Sequence, residues 1–140
     1  MKLQLVTLAG VKHDQDVYEV ILPTAEGEIA VFPDHEPLVT LAVPGAIGVR
    51  ETKDAPDSEM EYFAISGGII EVSGRTVRVL VDEAESSDEI AEEESRAALA
   101  RAEELRDNAG DQLEREKAMQ LIDRHSVRLK VAELRRRKRR

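Results

Sequence analysis

The chain has 140 residues, no Cys, 35% charged and 3% aromatic side chains, and a net charge of −9. Its length suits one ordinary domain or two small ones, and the missing Cys excludes a disulfide framework, a cysteine-held zinc site and a thiol nucleophile. The longest apolar runs, such as 64–70, are broken by Ser and Gly well short of the roughly 20 residues of a bilayer span, and residues 1–10 alternate instead of forming a signal sequence; a soluble, cytoplasmic protein is expected.

Chemistry is unevenly distributed along the chain. All five Pro, all four Phe and Tyr, and seven of the eight Gly lie before residue 75. Residues 1–85 carry 6 basic against 16 acidic side chains, whereas 86–140 carry 14 against 13, and the last six residues are all basic. The first part reads as strands: period-two alternation or β-branched enrichment marks 2–8, 17–22, 28–32, 38–43, 46–51, 60–65, 69–73 and 76–81. Turn signals at Glu26-Gly27, Pro33-Asp34, Pro44-Gly45, 54–58, Gly67-Gly68 and Ser73-Gly74 separate them. Short strands at this spacing with no intervening helix predict an antiparallel β-sandwich or small barrel over 1–85.

From Ser86 the period changes. Ser86 with Glu89 forms a capping-box pattern, and Asp88 is placed to meet the positive end of a helix dipole. The spacing predicts a first helix to about residue 107, a stop at Asn108-Ala109-Gly110, and a second helix started by Asp111 and Glu114 that reaches at least Leu134. Ala91, Ala98, Ala102, Leu105 and Ala109 share one side of the first helix; Ala118, Ile122, His125, Leu129 and Ala132 share one side of the second. An antiparallel hairpin over 86–140 follows, giving an α+β, mainly β chain. Its small-residue faces bury little apolar area, so the hairpin is expected to hold weakly and to open.

The sequence assembles no nucleophile, base and orienting group, and no phosphate loop. His13, His35 and His125 stand far apart without metal-ligand spacing. His35 reads first as a surface turn residue, His125 as a packed helix residue, and Glu92-Glu93-Glu94 as a solvated first turn. The terminal Arg135, Arg136, Arg137, Lys138, Arg139 and Arg140 suit either phosphate groups or an acidic protein surface, although no aromatic follows Phe63 to stack on a base.

Residues 26–40, EGEIAVFPDHEPLVT, then Pro44-Gly45, then 66–72, SGGIIEV, and finally 128–134, RLKVAEL, resemble in order and spacing the epsilon subunit of F-type ATP synthases over nearly the whole chain. The resemblance implies a non-catalytic rotor part of the central stalk. Its sandwich would sit on the gamma subunit and the c-subunit ring, coupling proton flow to ATP synthesis. Its helices would switch between a folded state and an extended one that reaches the alpha and beta subunits and restrains ATP hydrolysis. Laid end to end, two helices of 20 to 25 residues would span roughly 60 to 75 Å. Carried over by position, Glu26, Gly27 and Glu28 are the expected c-ring contact, with an ordinary strand-edge charge as the other reading of Glu28, and His35 is the expected gamma contact.

Some members of that family hold regulatory ATP through an aliphatic-Asp-x-x-Arg-Ala pattern and two second-helix arginines. Here the pattern is 92–97, EEESRA, so Glu93, Arg96, Arg124 and Arg128 are the matching positions. Two of the pattern's residues depart from it, and pairing of these arginines with nearby Glu is the other reading. The basic tail is expected to strengthen the inhibited state. No nucleic acid partner or other cofactor is implied, and the expected location is the cytoplasmic face of a bacterial cell membrane, held there only through the complex. A free-standing adaptor for nucleic acid or acidic protein, working through the tail, is the alternative.

Overall fold

The computed structural model describes residues 1–138. Ten strands precede two helices: β1 Lys2–Thr7, β2 Gly10–Asp16, β3 Glu19–Thr24, β4 Gly27–Val31, β5 Leu38–Ala42, β6 Gly45–Arg50, β7 Glu61–Ile65, β8 Gly68–Ser73, β9 Thr76–Val81, β10 Ala84–Ser86, α1 Glu92–Asp107 and α2 Gln112–Lys138. The strands form two layers. One runs β4-β3-β6-β7-β10 and the other β5-β8-β9-β1-β2, joined by the single β3–β5 pairing of Thr24 with Ala42. All neighbours are antiparallel except β1 and β9, which run parallel from Lys2 beside Thr76 to Val6 beside Leu80.

Alternation and β-branched enrichment located eight of these strands. Leu3, Leu5, Val20, Leu22, Ile47, Val49, Ile70, Val77 and Val79 are fully buried in one cluster, so every second residue of these strands points between the layers. The prediction missed β2 and β10. In β2 only His13 is buried; a shift of register between Leu5 and Val6 turns it inward while Val11 stays outside beside Val6, and such a bulge leaves no alternation to read. His13 Nδ1 donates to Leu3 O (3.2 Å), and its ring meets Phe63 edge-on at 5.9 Å.

Gly67-Gly68 is where the chain passes from the first layer to the second. A Cβ on Gly68 would stand 1.9 Å from the carbonyl oxygen of Leu80, and Gly67 has φ of 103°, which an L side chain rarely adopts.

The capping box at Ser86 and Glu89 exists, but it opens a single 3-10 turn at Ser87–Glu89; the chain is extended again at Ile90 and α1 starts at Glu92. The second start is as predicted: Asp111 accepts the Glu114 N–H at 2.8 Å, and Glu114 accepts that of Gly110 at 2.8 Å. Between the helices Ser95, Ala102 and Ala118 are buried, while Ala91 and Leu105 are exposed. A row that the helical pattern did not single out, Val127, Val131 and Leu134, packs against Ile21, Ala46, Met60, Tyr62 and Ala64 on the outside of β3, β6 and β7. That contact explains why β6 is buried on both faces from Gly45 to Val49.

Candidate functional site

Two outer faces result, and they differ. The face of β6 and β7 lies under α2. On the opposite layer, register places Leu41 beside Ile69, Ile69 beside Leu80, Leu80 beside Val6 and Val6 beside Val11, an apolar row crossing five strands. Leu41 is 63% exposed, Val11 63% and, next to them, Val39 74% and Leu8 86%. The adjacent row is mostly polar: Arg78 donates to Gln4 at 3.2 Å and faces Glu71, and Lys2 pairs with Asp14 at 3.2 Å. An apolar strip with a charged border has the makeup of a protein interface.

Two tight turns project from the ends of the layers with the same chemistry. In the β3–β4 turn the Thr24 hydroxyl donates to Gly27 O and accepts the Glu26 N–H at 3.3 Å, holding Glu26, Gly27 and Glu28 exposed. In the β1–β2 turn Thr7 does the same toward Gly10 O and the Ala9 N–H, both at 3.1 Å. The repeated Thr-x-x-Gly spacing was present in the sequence and would have revealed the second tip, which carries Leu8.

His35 is half-buried in the loop leading into β5. Its Nδ1 donates to Glu36 O at 2.7 Å and its backbone N–H to Phe32 O at 3.2 Å, while Asp34 adopts a left-handed turn with φ of 69°. The loop feeds directly into the strand that presents Val39 and Leu41.

The four expected nucleotide-binding residues are not gathered together. Arg124 and Arg128 line a cleft of about 670 Å³ between α2 and the sheet edge, with Lys117, Ser66 and Glu85; Glu93 and Arg96 do not line it. Each arginine already has an acid: Arg96 with Glu92 at 3.0 Å, Arg124 with Glu83 at 3.2 Å and Arg128 with Glu85 at 3.1 Å. Arg128 also donates to His125 Nδ1 at 3.4 Å. Burial lowers the pKa of His125, as do Arg128, Arg124 and Arg101, against an opposing effect of Glu85, in keeping with a neutral ring that accepts this bond. Among the described residues no group of three His, Asp or Glu side chains is placed to hold a metal, and no helix is long and apolar enough to cross a membrane.

Part of the basic tail is engaged. Arg135 pairs with Asp88 and reaches Ser87 O at 3.4 Å; Arg136 pairs with Glu92 at 2.8 Å. Arg137 is exposed, Lys138 ends α2, and Arg139 and Arg140 lie outside the described residues.

Comparison with known proteins agrees with this architecture. Residues 1–87 match the beta-sandwich domain of the ATP synthase delta/epsilon chain. The ATP synthase epsilon chain of Herpetosiphon aurantiacus is 35% identical over 137 residues, covering 97% of this chain and 96% of its own. That of Staphylococcus aureus is 34% identical over 135 residues, covering 96% and 97%, and that of Desulforamulus reducens 32% over 132 residues, covering 94% and 96%. Among solved structures, a chain of the Euglena gracilis mitochondrial ATP synthase, OSCP/F1/c-ring in rotational state 1, superposes with a TM-score of 0.79 at 25% identity, covering 94% of this chain and 79% of that one. A chain of the Tetrahymena thermophila mitochondrial ATP synthase central stalk and c-ring shares the fold, with a TM-score of 0.58 at 14% identity. Sequence, sandwich and helical hairpin agree: the chain belongs to the epsilon-chain family of ATP synthases.

Proposed function

We propose that this chain is a non-catalytic rotor subunit of the central stalk, seated on gamma and the c-subunit ring at the cytoplasmic face of a bacterial membrane. There it couples proton-driven rotation to ATP synthesis, and its helices restrain ATP hydrolysis by reaching the alpha and beta subunits. The observation that carries the seat is the Leu41-Ile69-Leu80-Val6-Val11 row, exposed except at the half-buried Val6. Nothing catalytic is needed for such a part: rotation is transmitted by a contact that stays closed under load, and burying an apolar strip inside a charged border supplies one. His35, in the loop before β5, belongs to the same seat, and the Glu26-Gly27-Glu28 tip is the contact to the ring. The test is capture of gamma by the full chain. Leu41→Asp with Ile69→Asp places two carboxylates in the strip and is expected to abolish capture while leaving the melting temperature of the isolated chain unchanged, because both side chains are already exposed. Undiminished capture would overturn the seat.

A further inference from the structure

We propose that the basic end of α2 is a latch that keeps the hairpin folded on the sandwich, so that it opposes the extended state instead of serving it. This inference rests on the reading that the hairpin has two states, and it reverses the direction expected from the sequence.

The apolar hold between the two helices is slight. The two helices meet through Ser95, Ala102 and Ala118, the buried Ser95 hydroxyl has no hydrogen-bond partner, and Val131 is the one fully buried large side chain of α2 among the described residues. Beside the dock of Val127, Val131 and Leu134 on the sheet runs a row of charge, in the same order on both elements. Moving along α2, Arg124, Arg128, Arg135 and Arg136 meet Glu83, Glu85, Asp88 and Glu92 in that order, at 3.2 Å for the first pair, 3.1 Å for the second and 2.8 Å for the last.

Geometry explains why two different elements can stay in step. Arg124, Arg128 and Arg135 recur at spacings of four and seven, so they share one helix face. The rise from 124 to 128 is about 6 Å and from 128 to 135 about 10 Å at 1.5 Å per residue. Extended chain covers about 7 Å from 83 to 85 at 3.3 Å per residue, and 85 to 88, which enters the 3-10 turn at Ser87–Glu89, covers about 8 Å because such a turn rises only about 2 Å per residue. About three turns of α2 therefore bring these cations opposite Glu83, Glu85 and Asp88 in turn, and the order continues to Arg136 and Glu92.

The acids occupy the segment from Glu83, just before β10, to the start of α1, which is the part that must turn for α1 to leave the sandwich. The cations of the last two pairs come from the far end of α2. Arg135 and Arg136 thus tie the hairpin's end to its root and close a loop that contains both helices. Lys12 of β2, paired with Glu89 at 3.3 Å, holds the same segment from the other side. Arg136 is the leading cause that keeps the Glu92 carboxyl below its ordinary range, aided by Arg96. Because these pairs face water, salt weakens them.

The chain lacks Cys, so spin labels can be placed at Glu51→Cys on the sandwich and Glu133→Cys on α2 of the full chain, and their distance measured. A short distance is expected at low salt. Arg135→Glu with Arg136→Glu should raise the open-to-folded ratio roughly tenfold, 0.5 M NaCl should raise it in the parent, and adding Asp88→Arg with Glu92→Arg to the double variant should restore the short distance. The restoring swap separates a lost latch from general misfolding. In the assembled enzyme the double variant should hydrolyse ATP more slowly than the parent. A short distance unaffected by salt and by the double variant, no restoration by the swap, or faster hydrolysis would each overturn the latch. Hydrolysis unchanged by deleting 86–140 would instead overturn the two-state reading, with the label distances still deciding the latch.

Discussion

The two outer faces of the sandwich are built from similar strands and end in opposite conditions. Over β6 and β7 the chain supplies its own cover: α2 seats Val131 among Ala46, Ala64, Met60 and Tyr62, with Ile21 beside them, and Gly48 leaves room for the Met60 and Tyr62 side chains. Over β5, β8, β9, β1 and β2 one outward row is Leu, Ile and Val beside a mostly polar row, and among the described residues Val11, Val39, Leu41, Ile69 and Leu80 stay exposed. Cover distinguishes the two faces: the first buries its apolar side chains under a helix of the same chain, and the second offers its apolar row to another protein.

The most drastic way to break this difference is Gly68→Ala, which pushes a methyl group into the Leu80 backbone between β8 and β9. It should cost more than about 4 kcal/mol in urea unfolding and disrupt the bare face from within. Next is Val131→Ala, which empties the dock on the covered face. A loss of about 2 kcal/mol should appear as faster amide exchange throughout α2, with exchange in β8 and β9 unchanged. Smaller and opposite in sign is Ser95→Ala. Removing a buried hydroxyl without a partner should tighten the hairpin by about 1 kcal/mol, seen as slower exchange in α1.

The mildest effect is that of pH. The folded hairpin holds His125 below its ordinary value near 6.5 through burial and through Arg128, Arg124 and Arg101, opposed by Glu85. The released helix therefore binds the proton more readily, so the folded state has its full advantage above about pH 6.5 and loses it as pH falls through the lower folded value. Protection of the α2 amides, corrected for the slower intrinsic exchange at low pH, should fall from pH 7.5 to 5.5, and His125→Gln should flatten that dependence.

The sequence disclosed what is periodic and local. Strands with apolar residues at every second place, the helix stop at Asn108-Ala109-Gly110 and the start at Asp111 and Glu114 were all legible, because each is decided by neighbours along the chain. β2 was not, since its one inward residue, His13, owes its direction to a bulge. The dock of α2 was also hidden: Val127, Val131 and Leu134 lie beside the alanine row, and only the sheet shows that α2 has two partners. For the candidate site, the exposed tip at Glu26-Gly27-Glu28 was legible from its turn chemistry. The apolar row was not, because Leu41, Ile69, Leu80, Val6 and Val11 are scattered from residue 6 to residue 80 and meet only through register. The arginines were recognised, while the acids they pair with depend on how far β10 and α2 each advance per residue.

The parallel pairing of β1 with β9 sets the order in which the molecule is made. During synthesis β1 can close on β2 at once, but its other edge stays open until Thr76–Val81 has left the ribosome, and closing so distant a pair is slow compared with forming a helical hairpin. The N-terminal strand is therefore the first part made and among the last completed. Until then its unpaired edge and the unfinished core stand open to neighbouring chains, whereas the hairpin, emerging last, folds from local contacts onto a sandwich whose final strands have only just arrived.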